Sequence, residues 1–179
     1  MPEDHILLRR SKHGDRSAFD RIYQKQLDAL LTVAMSLLGN PGDAEDVVQE
    51  VFISFVESLD TFRLRGSLRG FLAACVANKC RDMLRKRSRL GTDGKASAKT
   101  AHASEPLELV IHDEQVRCIQ DALSRLPYEQ REVITLHVHA GLTFRAVARA
   151  LEVPLGTVQS RYRYGLNSLR TQLDGEDHP

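Results

Sequence analysis

Gln159, Ser160, Arg163 and Asn167 fall on one side of a helix that begins after Pro154. Their amide, hydroxyl and guanidinium groups are the donors and acceptors that base edges and phosphates take. The other side of that helix carries Val158, Tyr162, Leu166, Leu169 and Leu173. These lie within about a quarter-turn at 3.6 residues per turn and should face a core. The preceding helix, Thr143 to about Ala150, places Phe144, Val147, Ala148 and Leu151 on one stripe, with Thr143 as its N-cap. Glu152-Val153-Pro154 breaks the two apart. Two short helices around a tight turn, the second with a polar front, are what a major groove admits. The blander alternative is an amphipathic helical hairpin with a solvated outer face.

The chain has 179 residues, enough for one ordinary domain or two small ones. It contains no apolar run near the roughly 18 residues that would suggest a membrane span. Met1-Pro-Glu-Asp-His5 lacks the basic-then-apolar order of a signal peptide, so a cytoplasmic location without membrane insertion is expected. Cys75, Cys80 and Cys118 lack metal-ligand spacing, and Cys75 and Cys118, among apolar neighbours, are expected to be buried thiols. His137 and His139 should point to different sides of a helix, a poor metal site. No catalytic constellation, metal site or cofactor motif is expected.

A net charge of +1 hides a division. From Pro41 to Phe62 there is no Lys or Arg, but Asp43, Glu45, Asp46, Glu50, Glu57 and Asp60 are acidic. From Arg63 to Lys99 eleven basic residues face only Asp82 and Asp93. Such segregation says more about nucleic acid than the total charge does.

The predicted fold is all-α: two small helical domains joined by a flexible linker, the C-terminal one a helix-turn-helix. The first domain spans residues 1–87. One helix is expected from about Asp15 to Leu38, burying Phe19, Ile22, Tyr23, Leu27, Leu30, Leu31 and Ala34, and stopped by Gly39-Asn-Pro-Gly42. A second, about Asp43 to Leu59, opposes a wide apolar face (Val47 to Leu59, including Val56) to Asp43, Asp46, Glu50 and Glu57. A third is expected from near Leu68 to Arg87. Residues 88–105 are small, polar and charged, the composition of a linker. The second domain spans 106–173, with helices at about Leu107–Leu126 and Tyr128–Ala140 before the helix-turn-helix, and 174–179 form a tail. Pro127 suits a helix start and Gly141 a helix end.

These residues carry a family resemblance. Asp43-Ala-Glu-Asp-Val-Val-Gln-Glu-Val-Phe52, Phe71-Leu with Asn78, Asp82 and Arg85, Leu126-Pro with Arg131, Ile134 and Leu136, Gly141-Leu-Thr143, and Val153-Pro-Leu-Gly-Thr-Val-Gln-Ser-Arg161 follow in that order. Nearly the whole chain resembles a bacterial sigma factor of the extracytoplasmic-function (ECF) group, with regions two and four. The resemblance implies a protein that binds core RNA polymerase, directs it to specific promoters and helps open the DNA. It implies contact with the clamp of the largest subunit through Asp43, Asp46, Gln49 and Glu50, and with the flap of the second-largest. Acidic side chains facing a basic clamp would give steering and orientation more than raw affinity.

Arg65, Ser67, Asn78, Arg81, Arg85 and Arg87 occupy the part that melts and holds the minus-ten element. There the family captures an unstacked base and keeps the single strand on a basic surface. Gly156, Thr157, Gln159, Ser160, Arg161 and Arg163 occupy the part that reads the minus-thirty-five duplex. Gly156 and Thr157 offer helix N-terminal N–H groups to a phosphate, and Arg161 falls to one side. An anti-sigma factor is a further implied partner.

Three positions depart from the family pattern. Phe71 stands where Trp is frequent, and other aromatics are few in the adjacent loop; Phe71 itself is expected in the core. Ala146 replaces a Glu that would complete a capping box. Glu152 replaces a turn Gly, costly if that position is left-handed. Two other function classes remain open at this stage. One is an ordinary helix-turn-helix regulator, which would not explain the acidic and basic helices upstream; the other is an enzyme of nucleic-acid metabolism.

Overall fold

A computed structural model describes residues 2–64, 66–89 and 118–176. Among them all regular structure is helical: α1 (Pro2–Lys12), α2 (Arg16–Leu38), α3 (Pro41–Ser58), α4 (Leu68–Arg89), α5 (118–124), α6 (Tyr128–Val138), α7 (Phe144–Leu151) and α8 (Leu155–Glu176). Most of the expected linker and the start of the helix expected from Leu107 lie outside the described residues.

Local chemistry accounts for the helix ends. Asp15 caps α2 by accepting from the Ala18 N–H, and Gly39 closes it in the left-handed region at φ 69°. Asn40 caps α3, with Pro41 as its first residue, so this helix starts two residues earlier than expected. Ser67 Oγ accepts from the Gly70 N–H at 3.2 Å and begins α4. Helix α1 had no counterpart among the expected elements. Its short polar stretch has only Leu7 and Leu8 to bury, and it is fastened by Lys25 of α2 to Glu3 and Asp4 at 2.8 and 2.9 Å.

The first-block core forms where α2 crosses α3 and α4. Ile22, Leu30, Val33, Ala34 and Leu37 meet Val47, Val48, Val51 and Phe52, and then Leu68, Leu72, Val76 and Cys80. Val56 does not join it and is 47% exposed, beside exposed Ile53. Cys80 is the buried thiol, pushed up to about 12 by burial, whereas Cys75 and Cys118 are only half-buried. The cysteine expectation is corrected accordingly: Cys80 is on the inner stripe of α4 and Cys75 on its flank.

The second block does not stand apart. Val133 and Leu136 of α6, Val147 and Leu151 of α7, and Val158 of α8 belong to the same buried cluster as the first block. A smaller cluster, Leu123, Leu126 and Ile134, lies beneath Tyr162 and Leu169. Leu166, expected inside, is 41% exposed. Gly165 takes the inward position instead, because α6 comes so close that a β-carbon there would stand 2.6 Å from Ile134 Cδ1. The core line of α8 is therefore Val158, Tyr162, Gly165 and Leu169.

Candidate nucleic-acid interface

Helices α7 and α8 form the hairpin that the spacing predicts. Thr143 Oγ1 accepts from the Ala146 N–H at 3.2 Å, so the cap forms without a capping box. His137 Nδ1 donates to the Leu142 carbonyl at 2.6 Å, its ring stacked on Phe144 and edge-on to Tyr162. This fixes the turn into α7 and gives His137 a structural place. Glu152 turns the chain between the helices with φ 55° and ψ 40°, the only non-glycine residue at positive φ among the described residues.

On α8, Gly156, Gln159 and Arg163 are exposed, and Thr157 and Ser160 are half-buried. Arg163 rests against the Tyr164 ring, 5.2 Å from its centroid. Ser160 Oγ donates to the Thr157 carbonyl. The Thr157 N–H donates to Pro154 O at 2.9 Å, so it is not directed at a phosphate as expected. Arg161 points away from the front into a cleft between the blocks, which it shares with Arg81, Arg85 and Glu132.

The first-block residues divide differently. Asp46 and Gln49 are exposed on α3. Asp43 is clasped by Arg87 through two bonds of 2.6 and 2.8 Å, which holds the guanidinium above its ordinary pKa range. Glu50 accepts from Lys79 at 2.7 Å, and that bond holds its carboxyl below the usual range. Half of the acidic stripe is thus ion-paired with α4, with Asp43 largely covered and Glu50 still exposed. Asn78 is exposed and accepts from Arg81, and Arg85 is exposed. Ser67 is exposed while serving as the cap of α4, and Arg65 lies outside the described residues.

Arg81 makes the contact that sequence reasoning missed. It reaches Glu132 Oε1 of α6 at 2.5 Å, with the Glu132 side chain 2% exposed. Burial outweighs this pairing and raises the Glu132 carboxyl above its ordinary range. Nothing near Arg81 in the sequence announces a partner fifty-one positions away.

Phe71 is not core: it is 40% exposed, with its ring 4.7 Å from Phe62 and 6.4 Å from Phe55. Phe55 and Phe71 line one end of a groove of about 310 Å³ between α3 and α4, continued by Ser54, Cys75, Asn78, Lys79 and Asp82. An apolar floor with a few polar groups at one end can take a flat ring and orient it.

No helix among the described residues is long and apolar enough to cross a membrane, and none of their His, Cys, Asp and Glu side chains group as metal ligands. Comparison with known proteins places two family models on the chain. The family model described as Sigma-70 region 2 matches residues 22–90, and that described as Sigma-70, region 4 matches 116–169. The ECF RNA polymerase sigma factor SigW of Bacillus subtilis is 30% identical, over 93% of this chain and 94% of its own length. SigE of Mycolicibacterium smegmatis is 32% identical over 89% of this chain, which spans 64% of that longer protein. Among solved structures, the sigma factor RpoE of Bartonella quintana in complex with the anti-sigma factor NepR is 27% identical. It superposes with a TM-score of 0.70, covering 87% of this chain and 96% of that one. CnrH in complex with the cytosolic domain of CnrY shares the fold, at 24% identity and a TM-score of 0.72 over 98% of this chain and 99% of that one. The chain belongs to the ECF sigma factors, the transcription initiation factors that direct RNA polymerase to promoters.

Proposed function

We propose that this sigma factor reads its promoter with two surfaces of one chain, each taking a different form of DNA. The observation that carries this reading is the exposed polar front of α8 together with a separate aromatic-ended groove beside the basic helix α4. Gln159, Ser160 and Arg163 meet duplex at the minus-thirty-five element, with Gly156 and Thr157 at the helix start. Asn78, Arg81, Arg85 and Arg87 hold the strand separated at the minus-ten element, with Arg65 and Ser67 in the loop before them. The groove at Phe71 receives an unstacked base, and ring stacking helps offset the few kcal/mol of unstacking. Asp46 and Gln49, with Asp43 and Glu50 beside them, face the clamp of the largest polymerase subunit, and the second block meets the flap of the second-largest. The protein works in the cytoplasm, and an anti-sigma factor holds it there between signals; the NepR complex of its relative supports that partner class. The blocks correspond to residues 1–87 and 106–173, with 88–105 as the tether that lets both elements be bound at once.

Run-off transcription with purified core polymerase tests this reading. Wild type should initiate on a template with both elements intact. Scrambling the minus-thirty-five element should reduce product, and a pre-melted bubble at the minus-ten element should rescue an Arg85→Ala variant. No product from any genomic promoter fragment, or no rescue by the bubble, would overturn the assignment.

A further inference from the structure

The segment that leads from α3 to α4 carries Phe62. Helix α3 has no basic residue in its last turn, and Leu59, in the right-handed region, stands where glycine often closes a helix. The Phe62 N–H still donates back to Ser58 O at 2.9 Å, so the turn runs on past the helix. The carbonyls beyond it need donors from elsewhere. Lys12, in the last turn of α1 and fifty positions before Phe62, supplies them. Its Nζ donates to Phe62 O at 2.5 Å and to Asp60 O at 3.2 Å. Arg63 Nη1 also reaches Phe62 O, at 3.4 Å, but from an exposed side chain. Lys12 is half-buried, and α1 is held in place by buried Leu7 and Leu8 and by the pairing of Lys25 with Glu3 and Asp4. Phe62 does not line the groove between α3 and α4 but braces two rings that do: Phe55, edge-on at 5.2 Å, and Phe71 at 4.7 Å.

We propose that Lys12 is a positioning residue for strand capture. By holding the Phe62 carbonyl it sets the Phe62 ring, and through that ring the stance of Phe71 at the groove. The inference rests on the proposed function for the unstacked base that the groove takes. Its physical basis is a bond from an ionised donor, shorter and roughly twice as strong as a neutral one. A cation also suits the carbonyl end of a helix, and α3 has none of its own there. Ring stacking depends on offset and tilt, so an aromatic pair whose backbone anchor drifts loses the geometry that a base needs.

Two readouts on the full chain test the proposal. The chain has no tryptophan, so Phe62→Trp places a single fluorophore in the ring cluster. Adding Lys12→Met, which keeps the stem and removes the donors, should shift its emission to longer wavelength. Adding Lys12→Arg, which keeps a cation, should not. The second readout is permanganate reactivity at the minus-ten element, with core polymerase and a promoter that wild type opens. Lys12→Met should open it about tenfold more slowly, equivalent to about 1.4 kcal/mol of barrier. Lys12→Arg should recover most of the rate, and core binding should not change in either variant. An unshifted emission, an unchanged rate, a rate that Lys12→Arg does not recover, or an equal loss of core binding would each overturn the proposal. If Phe62→Trp does not fold, the opening rates decide alone. Phe71→Ala separates the two readings. If it opens the promoter as wild type does, the reading of the groove falls; if it is impaired and Lys12→Met is not, only the role of Lys12 falls. If wild type opens no promoter, the proposed function falls, and the emission still decides whether Lys12 holds the ring.

Discussion

Helices α4 and α8 hold their arginines in opposite ways. On α4, Arg81 is committed to buried Glu132 and Arg87 to Asp43, while the neighbouring Lys79 holds Glu50. On α8, Gln159 and Arg163 stand exposed, and the helix is aimed by a capped turn. On the proposed function the duplex-facing surface is thus preformed, whereas on the strand-facing helix Arg81 and Arg87 are held by carboxylates of the same chain and Arg85 is exposed. The difference places the energetic cost at different steps. On that proposal, duplex docking needs no rearrangement of α8, whereas a strand that reaches Arg81 competes with a buried carboxylate. Such contacts are costly to leave half-made, because the remaining charge has neither partner nor water.

The largest test of this contrast is Arg81→Ala. It leaves Glu132 buried without its cation and should destabilise the chain by about 3 kcal/mol in urea unfolding at neutral pH. The sign with pH follows from burial. A carboxyl whose folded pKa is raised supports folding fully below its unfolded value and loses that support as pH rises through the folded value. The deficit of Arg81→Ala should therefore begin to narrow as pH falls through the raised folded value, where Glu132 takes up a proton, and be smallest below the ordinary carboxylate range. A loss that does not change with pH would mean that Glu132 is not the group stranded.

Arg163→Ala makes the opposite expectation. Its side chain is on the exposed front, so stability should change by less than about 0.5 kcal/mol. Transcription from a promoter dependent on its minus-thirty-five element should fall by the equivalent of about 1–3 kcal/mol if the guanidinium holds a base. A uniform loss on intact and scrambled elements, with a salt slope shallower by about one, would instead mark a phosphate contact. A large loss of stability would break the contrast with Arg81.

Much of the fold was legible because helix ends are written locally. Asp15, Gly39 and Thr143 act through groups within four residues of themselves. The hairpin of α7 and α8 was legible for the same reason. What was not legible depends on distant stretches meeting. Leu166 has the spacing of a core residue, yet the approach of α6 gives that place to Gly165. Phe71 has the look of core, yet packs at an edge with Phe55 and Phe62. The acidic stripe of α3 could be drawn on a helical wheel, but not that Asp43 and Glu50 would be taken by α4. One signal was present: Gly70 and Gly165 are glycines inside helical patterns, and each marks a close approach.

Gly165→Ala sharpens the comparison within the second block. The added methyl gains helix propensity of about 1 kcal/mol but meets Ile134 Cδ1, and overpacking of this kind costs about 1–3 kcal/mol. The net expectation is a loss of about 1 kcal/mol in thermal unfolding. Adding Ile134→Val removes the methyl that it meets and should recover part of the loss. Duplex binding should be reduced only as far as α8 tilts, because the front residues are unchanged. Full recovery of stability without recovery of promoter binding would show that the position of α8 against α6 sets the aim of the front.

The smallest effect is expected at Glu152, where backbone and charge can be separated. A non-glycine residue in the left-handed region costs roughly 1–2 kcal/mol, and glycine gives back part of this through greater freedom of the unfolded chain. Glu152→Gly should therefore raise thermal stability by less than about 1 kcal/mol. Glu152→Ala keeps the strain and removes the same carboxylate, so its stability should not rise. Both variants lift a negative charge from the turn beside the duplex-facing helix, and both should tighten duplex binding slightly at low salt and not at high salt. If only the glycine variant tightens binding, relief of the turn has re-aimed α8, and the duplex-facing surface is less preformed than its exposure implies. If neither does, the Glu152 carboxylate points away from DNA, and the contrast between a ready α8 and an occupied α4 stands.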